Sequence, residues 1–276
     1  MTDLSGARLG SSCSFFRACD RAVFHTVHQI GVDAVELIWR PDNLSEVLND
    51  PYCATKIRET AAEEGVELWS VHLPFSEELD ISSENREQRE HILKINRHII
   101  QVGAEAGVKA IVLHPSSEPI TDKERPRRLE LSRDAIVSLN GLCRELGLTL
   151  AVENLPRTCL CNRSSEMVEL LRGTGASVCF DFNHSLYEDN AAFLASLIDS
   201  DLTVATVHIS DYDLVNERHR LPGDGINDWK RLLGMLSAAD YCGPLMYEIA
   251  RKPFERDEII PVQLAENMRL LRAGMI

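Results

Sequence analysis

Ala110-Ile111-Val112-Leu113-His114 runs four apolar residues without a polar break into a histidine. A strand exposed on one face alternates apolar and polar residues. One buried on both faces, as in a parallel sheet covered by helices, reads as a continuous Val/Ile/Leu run. The same form recurs in Leu68-Trp69-Ser70-Val71-His72, Leu148-Thr149-Leu150-Ala151-Val152-Glu153, Val178-Cys179-Phe180-Asp181, Val204-Ala205-Thr206-Val207-His208 and Leu245-Met246-Tyr247-Glu248. Each run ends in a metal-capable side chain. In a closed β/α barrel all such strand ends converge on one rim, where enzymes of this architecture keep their active sites.

Working outward, two further strands are expected at Arg8–Ser12 and Ala34–Ile38, and helical patterns separate all eight. The helices are predicted near Phe16–Ile30, Ser45–Glu64, Asn85–Ala106, Lys123–Leu146, Ser164–Arg172, Asn190–Ile198, Asp228–Ala239 and Asp257–Arg272. Gly65, Gly107 and Gly147 follow three of them, as helix-stopping glycines do. Ser164 or Ser165 is the expected cap of the fifth helix. Eight strands alternating with eight helices over 276 residues favour one (β/α)₈ TIM barrel occupying 1–276. The Gly-x-Gly-x-x-Gly turn of an open dinucleotide-binding sheet is absent after the first strand, and Gly223-Asp224-Gly225 falls too late to serve.

The formal charge of −14 opposes a surface built for nucleic acid phosphates. No stretch approaches the ~20 apolar residues of a membrane span, and the opening MTDLSGARLG lacks the regions of a secretory signal. Eight cysteines in that setting read as reduced thiols of a cytoplasmic protein. Cys13, Cys143, Cys179 and Cys242 are expected as small core residues, and the Cys159-Leu160-Cys161 loop lacks a partner pair at zinc-site spacing.

Glu153, Asp181, His208 and Glu248 form the strongest constellation. Three carboxylates and an imidazole at one barrel mouth repel one another unless a cation sits among them. Mixed oxygen and nitrogen donors suit one divalent ion such as Mn²⁺, Mg²⁺, Co²⁺, Fe²⁺ or Zn²⁺.

The segments Val152-Glu153-Asn154, Phe180-Asp181-Phe182-Asn183-His184, Val207-His208-Ile209-Ser210-Asp211 and Arg218-His219-Arg220-Leu221-Pro222-Gly223-Asp224-Gly225 resemble the xylose isomerase-like TIM-barrel superfamily. That group includes sugar isomerases and epimerases, hydroxypyruvate isomerases, inosose dehydratases and endonuclease IV-type repair enzymes. The resemblance covers strands three to eight and implies a place in carbohydrate metabolism. It makes Glu153, Asp181, His208 and Glu248 ligands of one catalytic metal, and Glu153 and Glu248 the acid/base pair. They would transfer a proton beside a carbonyl of a sugar, sugar phosphate or keto-polyol, through a metal-bound enediolate. His184 and His219 would contact substrate.

The endonuclease IV-type pattern draws on more residues. His72, His114, Glu153, Asp181, His184, His208, His219 and Glu248 match its multi-zinc ligands, and Glu217 stands where that pattern has an aspartate. It would imply two or three Zn²⁺ and a phosphodiesterase acting on abasic DNA. An inosose dehydratase-like lyase is a further alternative, as is a barrel that keeps the metal without catalysis. The preferred partner is a small polyhydroxylated substrate, with no nucleic acid and no membrane; a homo-oligomer is left open.

Lesser signals take modest expectations. Glu36 ends the second strand and is expected to hydrogen-bond at the rim, and Asp211 to orient an imidazole from behind. Trp39, Phe75 and Trp229 are candidates for an apolar wall over a sugar ring, with ordinary packing as the simpler expectation. His25, His28, His91 and His98 read as surface or packing residues, and Asp122–Arg128 as a solvated helix start.

Overall fold

The computed structural model describes residues 6–252 and 259–276. Eight strands close in sequence order into a parallel barrel: β1 (Leu9–Ser12), β2 (Ala34–Ile38), β3 (Glu67–His72), β4 (Ala110–Leu113), β5 (Thr149–Glu153), β6 (Ser177–Asp181), β7 (Val204–Ile209) and β8 (Leu245–Tyr247). β8 returns to pair with β1 through Gly10 and Met246. A Cβ at Gly10 would stand 2.6 Å from the Met246 methyl carbon and 3.2 Å from the Ala34 carbonyl, so the Met246 side chain would have to shift to admit one.

Nine helices surround the barrel among the described residues: α1 (Arg21–Gln29), α2 (Leu44–Asn49), α3 (Cys53–Glu63), α4 (Arg86–Ala106), α5 (Arg125–Glu145), α6 (Ser164–Leu171), α7 (Asn190–Asp199), α8 (Trp229–Ala238) and α9 (Pro261–Arg272). The ninth arises because the helix expected over Ser45–Glu64 is two. Asp50, just before Pro51, is extended at φ −97°, ψ 103°, since the proline ring disfavours helical backbone in the residue before it. α1 begins later than Phe16 because Asp20 takes the cap, its carboxylate accepting from Val23 N. The expected start of the last helix at Asp257 lies outside the described residues.

The cap expected at Ser164 or Ser165 is instead Arg163. Ser164 is the first helical residue, and the Glu188 carboxylate accepts from both its amide and its hydroxyl. The Asp122–Arg128 run is less solvated than its charge suggests. Arg125 reaches Glu166 and the carbonyls of Thr158 and Cys159, while Arg128 pairs with the buried Asp80. These arginines staple the loops after β3 and β5 to α5.

Val112, Ala151 and Cys179 form a small apolar layer with Ala205, separate from the main core. Each of the first three lies two residues before His114, Glu153 or Asp181, so by strand alternation the donors continue the same inward face. All eight cysteines are free; Cys242 is exposed instead of filling the core. No helix among the described residues is long and apolar enough to cross a membrane.

Candidate metal centre and active site

Strand register sets the centre. Asp181 pairs directly with His208 across β6 and β7, and Glu153 ends β5 one strand away. Glu248 follows the last residue of β8, and His114 the last residue of β4. His208 Nδ1 lies 3.2 Å from Glu153 Oε1, 3.4 Å from Glu248 Oε2 and 3.6 Å from Asp181 Oδ2. One donor atom from each of these four residues falls within 4.8 Å of the others.

Three further groups meet the same spacing, one of them joining Cys179 to Glu153 and His208. His72 and His114 each bring Nε2 to 3.2 Å from Glu153 Oε2. On the other side His184 Nε2 is 3.4 Å from Glu217 Oε2, and His219 completes that group. Glu153 therefore belongs to three groups, with Oε2 toward His72 and His114 and Oε1 toward His208.

Backbone carbonyls fix the orientation of three imidazoles. His72, His184 and His219 each pair Nδ1 with a backbone carbonyl, of Leu73, Asn154 and Glu248 respectively, at 2.8–2.9 Å. A carbonyl only accepts, so Nδ1 carries the proton and Nε2 is left for the centre. His208 is reversed. Its Nε2 faces the carboxylate of Glu36 at 3.2 Å, and Glu36 also accepts from Ser70 at 2.8 Å. Glu36 is thus a fully buried brace behind His208, not a rim group.

Asp181 Oδ2 is the clearest sign of a missing partner. It is buried and has no hydrogen bond, although Oδ1 accepts from Asn183 N. A buried carboxylate oxygen without a partner is costly, and a cation among these four residues removes the cost. The donor chemistry and this orphan oxygen both fit a divalent ion.

Burial and neighbouring charges shift the two central glutamates in opposite directions. Burial opposes ionisation of Glu153, but His208 and His114 hold its carboxyl well below the usual range. Burial pushes Glu248 up to about 7, with Glu153 and Asp181 adding to the rise. Burial disfavours a charged His208, yet the Cys179 thiol and the carboxylates of Glu36, Glu248 and Glu153 raise its pKa well above 6.5.

Asp211 does not orient an imidazole. Its carboxylate accepts from Trp229 Nε1, Gly223 N, Asn227 N and Tyr212 N, bracing the loop from β7 to α8 that carries Glu217 and His219. Gly225 lets that loop close, since a Cβ there would come within 2.5 Å of the Asp211 carboxylate. Trp229 is correspondingly a core residue against Phe182, whereas Phe75 stacks on His114 at 4.0 Å and lines the mouth.

Asn154, Asn183 and Arg157 were not singled out from the sequence. Asn154 bridges β5 to β6 by exchanging two hydrogen bonds with the Asp181 backbone. Asn183 ties the end of β6 to Ser210 and Arg218. Arg157 pairs with Glu118 and Glu217. The Glu-Asn and Asp-Phe-Asn spacings hold the first two signals; nothing local marks the third.

The xylose isomerase-like TIM-barrel model matches residues 24–273. Uncharacterized protein MJ1614 of Methanocaldococcus jannaschii is 23% identical over 205 residues, covering 73% of this chain and 78% of the relative. A D-tagatose 3-epimerase-like protein superposes with TM-score 0.81 at 19% identity, covering 97% of each chain. The 3-keto-D-glucoside 4-epimerase YcjR of E. coli gives 0.75 at 21% identity, over 97% of this chain and 99% of the other. With the family model spanning nearly the whole barrel, the chain belongs to the xylose isomerase-like TIM-barrel family.

Proposed function

We propose that this protein is a divalent-metal-dependent isomerase or epimerase, moving a proton at the carbon beside a carbonyl in a small polyhydroxylated substrate. The observation that carries the reading is the placement of Glu153 and Glu248, which reach the same His208 nitrogen at 3.2 and 3.4 Å from β5 and from just beyond β8. Two carboxyls that approach one centre from different strands can remove and return a proton on different sides of a bound substrate. One takes the proton, and the other returns one from its own side. Glu153, Asp181, His208 and Glu248 would hold the ion, which supplies Lewis-acid polarisation of the carbonyl and neighbouring hydroxyl oxygens. His184 and His219 stand at the edge of the centre, within reach of substrate oxygens. The structurally similar epimerases noted above support a sugar as the substrate class.

Ketoses, aldoses and inososes incubated in deuterated water test the reading. Solvent deuterium should enter one carbon of a substrate, and Glu153→Gln or Glu248→Gln should stop it. Loss of water in place of exchange would mark a lyase.

The two flanking groups favour a second reading, a multi-zinc phosphodiesterase. His72, His114 and Glu153 on one side and His184, Glu217 and His219 on the other are spaced to hold an ion each. Anomalous scattering at the zinc and manganese edges counts the ions. Three ions, together with cleavage of an abasic duplex and no sugar exchange, would select this reading over the first.

A further inference from the structure

Two cavities in the mouth of the barrel meet at the proposed acid/base residue. One, of about 440 Å³, holds Ser116, Ser117, Arg157, His184 and Glu217. The other, of about 520 Å³, has a mostly apolar wall that includes Ile38, Trp39 and Ile249, with Ser14, Arg40 and Asp42 also lining it. Both include Phe75, His219 and Glu248. Each is by itself in the range of about 300–1,000 Å³ typical of ligand pockets.

Phe75 stands at the junction with its side chain unprotected: 41% of its surface remains exposed although it is a large apolar residue in a concave site. Arg40, the nearest cation of the apolar lobe, is turned back to donate to the Ser14 carbonyl at 3.0 Å. Hydroxyls placed in the Trp39 lobe would exchange water for a mostly apolar wall, with Ser14 and Asp42 as further polar neighbours. An alkyl or aryl group there would instead cover Phe75, Trp39 and Ile249.

We propose that the substrate is a polyhydroxylated molecule bearing an apolar alkyl or aryl substituent. The reacting carbon lies at Glu248, the hydroxylated part in the Arg157 lobe and the substituent in the Trp39 lobe. This inference rests on the proton-transfer reading, and its test is separable from it.

Metal-loaded protein is titrated calorimetrically with methyl, n-hexyl and phenyl β-D-glucopyranoside. The hexyl and phenyl probes should bind roughly tenfold or more tighter than methyl, the gain expected from burying a few apolar carbons. Ala250→Phe, which fills the lobe from a half-buried loop position, should bring the three probes to within about threefold, while leaving the methyl probe unchanged. Ile38→Asn should do the same by making the wall polar. Equal binding of the three probes, no binding of the hexyl and phenyl probes, or an advantage that survives both variants would overturn the inference. Should the advantage appear and respond to the variants while no sugar exchanges deuterium, the lobe stands and the proton-transfer reading falls. Should sugars exchange with no advantage for apolar probes, only the lobe falls.

Discussion

The two groups that flank the centre are chemically alike and structurally unlike. His72, His114 and Glu153 stand on or directly beyond strand ends, with side-chain exposures of 1%, 14% and 0%. His184, Glu217 and His219 ride on loops, at 6%, 28% and 24%. Strand-borne donors are positioned by the barrel ladder itself, whereas the loop-borne ones depend on braces such as Asp211 and Asn183. Barrel geometry thus makes one side rigid, and loop hydrogen bonding makes the other adjustable.

The largest effect is expected on the rigid side. Glu153→Gln should lower deuterium exchange by about 10²–10⁴, the usual size of an acid/base contribution, because it removes a base and a shared donor together. Steady-state exchange rates at saturating metal check this; a loss below tenfold would mean that the strand-borne carboxylate is not central.

Glu36→Gln should weaken metal affinity by about 10–100-fold, the effect common for residues that orient a ligand histidine. Competition with a chelator reads the affinity directly. A fall in melting temperature with unchanged affinity would instead make Glu36 a packing residue.

On the adjustable side, Trp229→Phe deletes the indole donor to Asp211 and should cost about 2 kcal/mol in urea unfolding, as for a hydrogen bond to a charged acceptor. Glu153-based exchange should survive it better than any change dependent on His219. Equal damage to both sides would break the contrast between strand and loop.

The smallest effect concerns pH in metal-stripped protein. Despite burial, Asp181 and Glu217 raise His184 to about 10, and despite burial, His184, His219 and Arg157 lower Glu217 to about 2. The histidine contribution is whole below its unfolded pKa of about 6.5 and fades as pH rises toward 10. The glutamate contribution is whole above about 4.3 and fades as pH falls toward 2. Glu217→Gln should therefore cost about 1 kcal/mol near pH 5.5, discounted for partial exposure, and progressively less by pH 10. A cost independent of pH would show that the pair is not ionic.

Much of the centre was legible because strand ends are. Continuous apolar runs ending in His72, His114, Glu153, Asp181, His208 and Glu248 are local patterns, and the closed barrel brings such ends together whatever the loops do. Glu36 lies inside β2 instead of at its end, and its hydrogen bond to His208 joins positions 172 residues apart. Asp211 was misjudged as an imidazole partner because its nearness in sequence to His208 concealed the loop it braces. Arg157 carried no local signal, since both of its carboxylate partners lie far along the chain.

By itself, then, the sequence determined the alternation of strand and helix, the closure into eight, and the identity of the convergent donors. These follow from hydrophobic periodicity and from side-chain type, both of which are local. Tertiary structure alone decided which imidazole nitrogen faces the centre, that Glu153 presents its two oxygens to different histidines, and that Asp181 Oδ2 is left without a hydrogen bond. It also decided that two cavities meet in the mouth at Phe75, His219 and Glu248. Those properties depend on distances of a few ångströms between residues from different strands and loops, and the chain pattern does not encode such distances until the barrel has closed.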